Sequence, residues 1–304
     1  MLTSLHHLLR RAPLALLAAA LLWLAPATAA EVPYGEGLLW RVQKDGGPVS
    51  WLFGTLHSTD ARLRRLPPEV DRAIGQSRTM VFELLESPEG TAKFVQAMQL
   101  PEGRRLEDIL GPELFRRTAA AAAPLGVPVE TLQRLKPWGL VQLLIFPPIE
   151  LVRLSKGEPA FDSWLQAEGR RRGKTLQALE TYEEQIDVFN GMSEAEQVAM
   201  VTDMLADHEN IEAHFNRLFR AYLKGDVAAI LAETNDISGV TDPAAAERLK
   251  QRLIDDRNRI MAARIAPLLR DGGAFIAIGA AHLPGEDGVL ARLTARGYSV
   301  TRDY

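Results

Sequence analysis

The 304-residue sequence contains no cysteine. That absence excludes disulfides, thiolate zinc ribbons, iron–sulfur clusters and thiol nucleophiles together. Positive charge is also scarce: 35 Lys and Arg stand against 39 Asp and Glu, a formal charge of -4. Nucleic-acid binders carry a basic footprint, so nucleic acid is not an expected partner. Gly-x-Ser-x-Gly, His-Glu-x-x-His, Walker and dinucleotide motifs are all missing. Serine-hydrolase elbow chemistry, zincin chemistry and P-loop ATP use therefore have no support. No low-complexity tract or linker divides the chain. With 47% hydrophobic and 24% charged residues, disorder is excluded and the length suffices for a sizeable core.

Long apolar runs are confined to two places. Near the start, Arg10-Arg11 precedes the run Leu14–Leu24 and the small residues Ala25-Pro26-Ala27-Thr28-Ala29-Ala30. Charge, apolar stretch and Ala-x-Ala in that order read as a secretory signal peptide spanning residues 1–30. The run is too short for a membrane anchor, which needs about 20 apolar residues. Removing this segment takes away two positive charges, so the mature chain, 31–304, carries -6. It is expected to be exported, periplasmic or secreted, with no stable membrane anchor. The second run, Trp138–Ile149, contains Pro147-Pro148 and reads as buried helix and turn.

Two stretches at opposite ends of the mature chain match. Pro48–His57 ends in Gly54-Thr55-Leu56-His57 and is followed by a helix-like segment and the apolar run Thr79–Leu84. Ala274–His282 ends in Gly279-Ala280-Ala281-His282 and is followed by an amphipathic segment and Tyr298–Thr301. Each reads as strand, Gly-x-x-His, helix, strand, the layout of a parallel crossover. Lys174–Leu179 is a further strand candidate, and Leu38–Val42 can pair with the Pro48 strand across a Gly46-Gly47 turn. Helical spacing covers Pro112–Ala123, Ser193–Lys224 and Pro243–Leu269. The expected fold class is α/β (α+β): a small, mostly parallel sheet built from two such units, in a single domain with a large helical insertion at about 88–270.

Four histidines remain in the mature chain: His57, His208, His214 and His282. In an open parallel sheet, ligands bind beyond the carboxyl ends of the strands, so two neighbouring strands would aim His57 and His282 into one crevice. The glycine three residues before each permits close backbone approach. Imidazoles with carboxylates can hold a divalent transition metal. Glu83 and Glu180 stand at the ends of their own strand candidates, in apolar surroundings where an unpaired carboxylate is costly. If the four strands are parallel neighbours, all four side chains converge. Each has a plainer alternative: a buried hydrogen-bonded histidine, or a glutamate in a salt bridge to Arg257. Asp162, which could simply cap a helix, and Gln185 are weaker candidates. His208 and His214 read as surface positions.

Phe53–His57, Val81–Leu84, Leu179-Glu180-Thr181, Lys136-Pro137-Trp138, Asp256-Arg257-Asn258 and above all Ile278–Gly288 resemble motifs of the TraB/GumN family. The resemblance runs from about Leu38 to Thr301. It implies a fold like that of erythromycin esterase and the haem-binding ChaN proteins. It also implies kinship with the TIKI proteases, which use a manganese- or cobalt-type ion and whose motifs match His57, His282 and Glu83. The expected function is an exported metal-dependent hydrolase, peptidase-like, acting on a peptide or small-molecule substrate. Its cofactor would be manganese, cobalt, iron or zinc. His57 and His282 would be metal ligands, Glu83 a ligand or general base and Glu180 a supporting group. Arg257 would be an oxyanion stabiliser or a structural ion pair. The alternatives are a non-catalytic protein that sequesters a peptide, haem or another small ligand, and a metal-free esterase-like enzyme.

Overall fold

A computed structural model describes residues 31–235 and 240–304; the expected signal peptide lies outside the described residues. Six short segments become strands: β1 (Leu39–Gln43), β2 (Ser50–Thr55), β3 (Thr79–Phe82), β4 (Thr175–Ala178), β5 (Ala274–Gly279) and β6 (Ser299–Arg302). They form one sheet in the order β4-β3-β5-β2-β1-β6. β4, β3, β5 and β2 run parallel as adjacent strands, with Phe53 opposite Ala277 and Phe82 opposite both Ala277 and Ala178. β1 is antiparallel to both β2 and β6, so "mostly parallel" is only roughly right: three of the five strand pairings are parallel and two antiparallel.

The two matching units do not close on adjacent strands. β5 lies between β2 and β3, which occupy both of its edges, so β6 reaches the sheet only by pairing with β1 at the far side. β1 and β2 are joined by the turn Lys44–Gly47, closed by Gly47 N donating to Lys44 O at 2.7 Å. Its central residues are Asp45 and Gly46, with φ of 51° and 69°, a type I′ hairpin turn one residue earlier than the Gly46-Gly47 pair suggests.

Side chains alternate across the sheet and bury two cores. On one face Trp51, Phe53, Met80, Phe82 and Phe275 pack against Val70, Ile74, Phe161, Leu165 and Tyr222. On the other, Leu52, Val81, Ile276 and Ile278 meet Met261, Ile265, Leu290 and Leu293. Because both faces of β2 and β5 are covered, these strands read as continuous apolar runs rather than alternating ones.

Among the described residues between 83 and 273, helices joined by short loops surround the single strand β4 and carry a third core of their own, around Leu106, Leu132, Leu140 and Val201. Trp138, fully buried, stacks on Phe189 with ring centroids 5.1 Å apart. Pro147-Pro148 bends the chain by 88° between helices Pro137–Leu144 and Pro148–Ser155. Among the described residues no single helix is long and apolar enough to cross a membrane. The long helical stretches are interrupted: Ser193–Lys224 resolves into Glu194–Ala206 and Ile211–Lys224. Pro243–Leu269 becomes Pro243–Lys250, one π-helical segment Gln251–Asp256, and Arg257–Asp271. Pro33–Tyr304 forms one compact unit.

Candidate active site

The parallel order β4-β3-β5-β2 brings the residues that follow these strands to one edge. Glu83 follows β3, Glu180 stands two residues past β4, His57 two past β2, and His282 three past β5. The backbone continues the sheet there, since Glu180 N donates to Glu83 O at 2.8 Å.

Space for a side chain is tight at both glycines. A Cβ on Gly54 would lie 2.9 Å from Leu283 Cδ1 and 3.1 Å from the Ala280 Cα. A Cβ on Gly279 would sit 3.2 Å from Glu83 Oε1 and 3.5 Å from His282 Cδ2. The glycines thus let the two His-bearing turns and the Glu83 carboxylate come together.

A buried ion network forms the centre. Arg257 Nη2 donates to Glu83 Oε2 at 2.5 Å and to Glu180 Oε2 at 2.6 Å, while Nε donates to Glu180 Oε1 at 2.9 Å. Its Nη1 donates to Leu253 O at 3.3 Å, so little of the guanidinium is left for a substrate. Of the two readings for Arg257, the geometry matches the structural ion pair. Gln185 Nε2 completes Glu180 by donating to Oε2 at 3.1 Å. Glu83 Oε1 accepts the Gly279 amide at 2.6 Å. Burial pushes Glu83 up, but Arg257, His282, His57 and the Gly279 amide outweigh it and hold the carboxyl well below its usual range.

The two imidazoles are each fixed at Nδ1. His282, 5% exposed, donates from Nδ1 to Asn258 Oδ1 at 2.7 Å, and Asn258 Nδ2 donates to Asp287 O at 3.1 Å. That orientation, assigned from the amide's own hydrogen bond, leaves His282 Nε2 facing Glu83 Oε1 at 3.8 Å. Burial, with the nearby Arg257 and His57 charges, lowers its pKa to about 4. His57 Nδ1 donates to Asp162 Oδ2 at 2.8 Å, and Thr55 Oγ1 donates to Asp162 Oδ1 at 2.7 Å. The charge of Asp162, with its hydrogen bond, raises His57 to about 9. Asp162 therefore does not cap its helix; Ala160 stands at that position without a side-chain cap.

Asn258 appears in the sequence only as part of a motif, yet it is the partner of His282. Its signal is its place directly after Arg257: the two residues open helix Arg257–Asp271 right after the π-helical segment, and each reaches a different half of the site. Such segments recur at functional sites.

Part of this arrangement lines a cavity of about 1140 Å³, whose wall does not include Glu180, Asn258 or His282. His57, Glu83, Asp162, Gln185 and Arg257 stand in its wall, and the helical insertion supplies an apolar remainder including Phe94, Val141, Phe146, Phe189, Met200 and Met204. His214 also lines it, contrary to the surface reading, half-buried between Glu233, at 2.5 Å from Nδ1, and Asp207. His208 lies outside this wall.

The donor chemistry suits a divalent ion in kind. With Nδ1 engaged on each ring, Nε2 is the nitrogen left to a ligand, the arrangement that metal-ligating histidines adopt. Among the described residues, however, no three His, Asp or Glu side chains are gathered to hold one ion.

The TraB/PrgY/gumN family profile matches residues 38–302. The chain belongs to that family. Curated relatives include "Metalloprotease TIKI2" of Danio rerio, 28% identical over 315 residues, covering 87% of this chain and 60% of the relative. "Metalloprotease TIKI1" of Homo sapiens is 27% identical over 316 residues, covering 87% and 61%. "Metalloprotease TIKI homolog" of Amphimedon queenslandica is 24% identical over 312 residues, covering 87% and 61%. The chain thus spans about three-fifths of the length of these relatives. No solved structure matches it significantly.

Proposed function

We propose that this TraB/PrgY/gumN member is an exported metal-dependent hydrolase that cleaves peptide substrates in the cavity at the carboxyl edge of β2, β5, β3 and β4. The observation that carries this reading is the pair of imidazoles flanking Glu83, each held at Nδ1 by a neighbouring side chain. The metalloprotease names of distant relatives support it, and the leader-like residues 1–30 are the ground for export.

His57 and His282 would hold the ion through Nε2, with Glu83 as the carboxylate. A divalent ion in such a site polarises a scissile carbonyl and acidifies water. The chain's own residues do the rest. Asp162 and Asn258 fix the tautomer and the direction of the two rings. Arg257 and the Gly279 amide keep Glu83 ionised, so that it could serve as a ligand without first losing a proton, while the same depression makes it a weak proton acceptor. Glu180, with Gln185, holds Arg257 in place. The apolar wall seats substrate side chains and reduces water around the reacting bond.

The test is metal analysis of the purified full-length protein, with and without chelator, alongside hydrolysis of an unfolded polypeptide such as casein. Bound transition metal, chelator-sensitive turnover and loss of turnover in His57→Ala are expected. Protein that carries no transition metal and takes up none with measurable affinity defeats the reading. Wild-type protein that shows no turnover, together with a His57→Ala variant that keeps its peptide affinity, would point instead to a sequestering protein.

A further inference from the structure

Directly after His57, the chain enters a loop whose polar groups are gathered by a single buried carboxylate. Glu150, 3% exposed, lies 92 residues away from Ser58 on helix Pro148–Ser155. Its Oε2 accepts the Thr59 amide at 2.6 Å and Thr59 Oγ1 at 2.7 Å; its Oε1 accepts Ser58 Oγ at 3.0 Å. Arg153 Nη1 donates to Oε1 at 3.4 Å and supplies the counter-charge. On the loop's other side, Ser58 O accepts the amide of Phe161, the residue before Asp162.

A carboxylate is costly to bury, and here most of its acceptor capacity is spent on two consecutive residues. Those residues adjoin an imidazole that is 61% exposed at the side chain, so packing does little to hold that ring. We infer that Glu150 is a positioning residue: it clamps the Ser58-Thr59 loop so that His57 meets Asp162 and presents Nε2 to the cavity. The inference rests on the hydrolase reading for its functional meaning, but the position of the ring is measurable by itself.

The experiment uses the full-length protein at one fixed pH with chelator present. Ring ¹⁵N shifts of His57 are recorded for wild type, Glu150→Ala, Glu150→Gln and Asp162→Asn. Ile265→Ala, in the opposite core, is the control for general destabilisation. Glu150→Ala is expected to move the Nδ1 shift toward the Asp162→Asn value. Glu150→Gln, whose carbonyl still accepts from Thr59, is expected to stay near wild type, as is Ile265→Ala. A wild-type shift in Glu150→Ala overturns the inference, and so does an equal change in Ile265→Ala. If Glu150→Ala does not fold, Thr59→Val removes one contact: a smaller change in the same direction is expected, and no change overturns the inference. Cobalt titration then separates the two ideas. Roughly tenfold weaker binding in Glu150→Ala is expected, and unchanged affinity refutes the clamp's role. If the wild type takes up no cobalt, the hydrolase reading falls, while the ring shifts still decide the clamp.

Discussion

Replacing Arg257 by methionine removes the cation shared by Glu83 and Glu180 while keeping most of the side-chain volume. The three side chains are 14%, 11% and 3% exposed, so water cannot replace the lost charge cheaply. Breaking a buried ion pair from one side costs about 3–5 kcal/mol. Against a total stability of about 5–15 kcal/mol, that is a large fraction. The cost must also depend on pH. In the wild type Glu83 is held low, so its contribution is fully present above the ordinary carboxylate range and is lost progressively as pH falls below it. Burial is already the largest single influence on Glu83 and Arg257 the largest opposing one, so removing Arg257 is expected to move the folded-state pKa upward. A group shifted that way destabilises most at high pH and regains stability as pH falls. Urea denaturation followed by circular dichroism, with chelator present, at pH 7.5 and 5.5 checks this. Arg257→Met is expected to lose about 3–5 kcal/mol at pH 7.5 and distinctly less at 5.5. Adding Glu83→Gln should restore part of the loss. A loss below about 1 kcal/mol, the range of exposed pairs, or one that grows on acidification, refutes the account of the network.

Three further outcomes follow from the same geometry. Asp162→Asn removes the main cause of the raised His57 pKa, so in metal-free protein that histidine should titrate nearer 6.5 than about 9 by NMR. Because the folded value is raised, the pair stabilises fully below about 6.5 and fades as pH rises through 9, a dependence the variant should lack. Glu168, Glu184 and Glu196 are each lowered to about 2: the first two mainly by Arg171 and Arg264, the third by the Ser193 amide. Their stabilisation should be complete above 4.5 and disappear as pH falls toward 2, and Glu184→Gln should flatten that acid limb in urea titrations. Gly54→Ala forces a methyl against Leu283 and the Ala280 backbone, and about 1–3 kcal/mol of destabilisation by the same assay is expected.

Much of the site was legible because its residues sit at fixed offsets from strand ends. The Gly-x-x-His pairs place His57 and His282, and the interrupted apolar runs place Glu83 and Glu180. Those are local signals, and the parallel sheet converts them into a shared edge. The partners were less legible. Asp162 resembles a helix cap in sequence, and only the tertiary approach of its helix to the β2 end reveals that it holds His57. Asn258 and Glu150 act across 24 and 92 residues, separations that carry no periodic trace. His214 lies on an amphipathic helix, but apolar spacing does not show that its ring meets Glu233 and Asp207 in a cavity wall. The order of strands was equally hidden, because both matching units have a helix of the right length and neither specifies which strand it returns beside.

The insertion of β5 between β2 and β3 also bears on how the chain acquires its shape. β2 and β3 are separated by only some two dozen residues, yet they share no pairing, and the strand that joins them comes after residue 273. Closing contacts of such sequence separation slows folding. The nascent polypeptide therefore holds two unsatisfied strand edges through most of its synthesis, and the four-strand core closes only when residue 279 has been delivered. Since His282 follows that strand at once, the site is completed in the same step that completes the sheet.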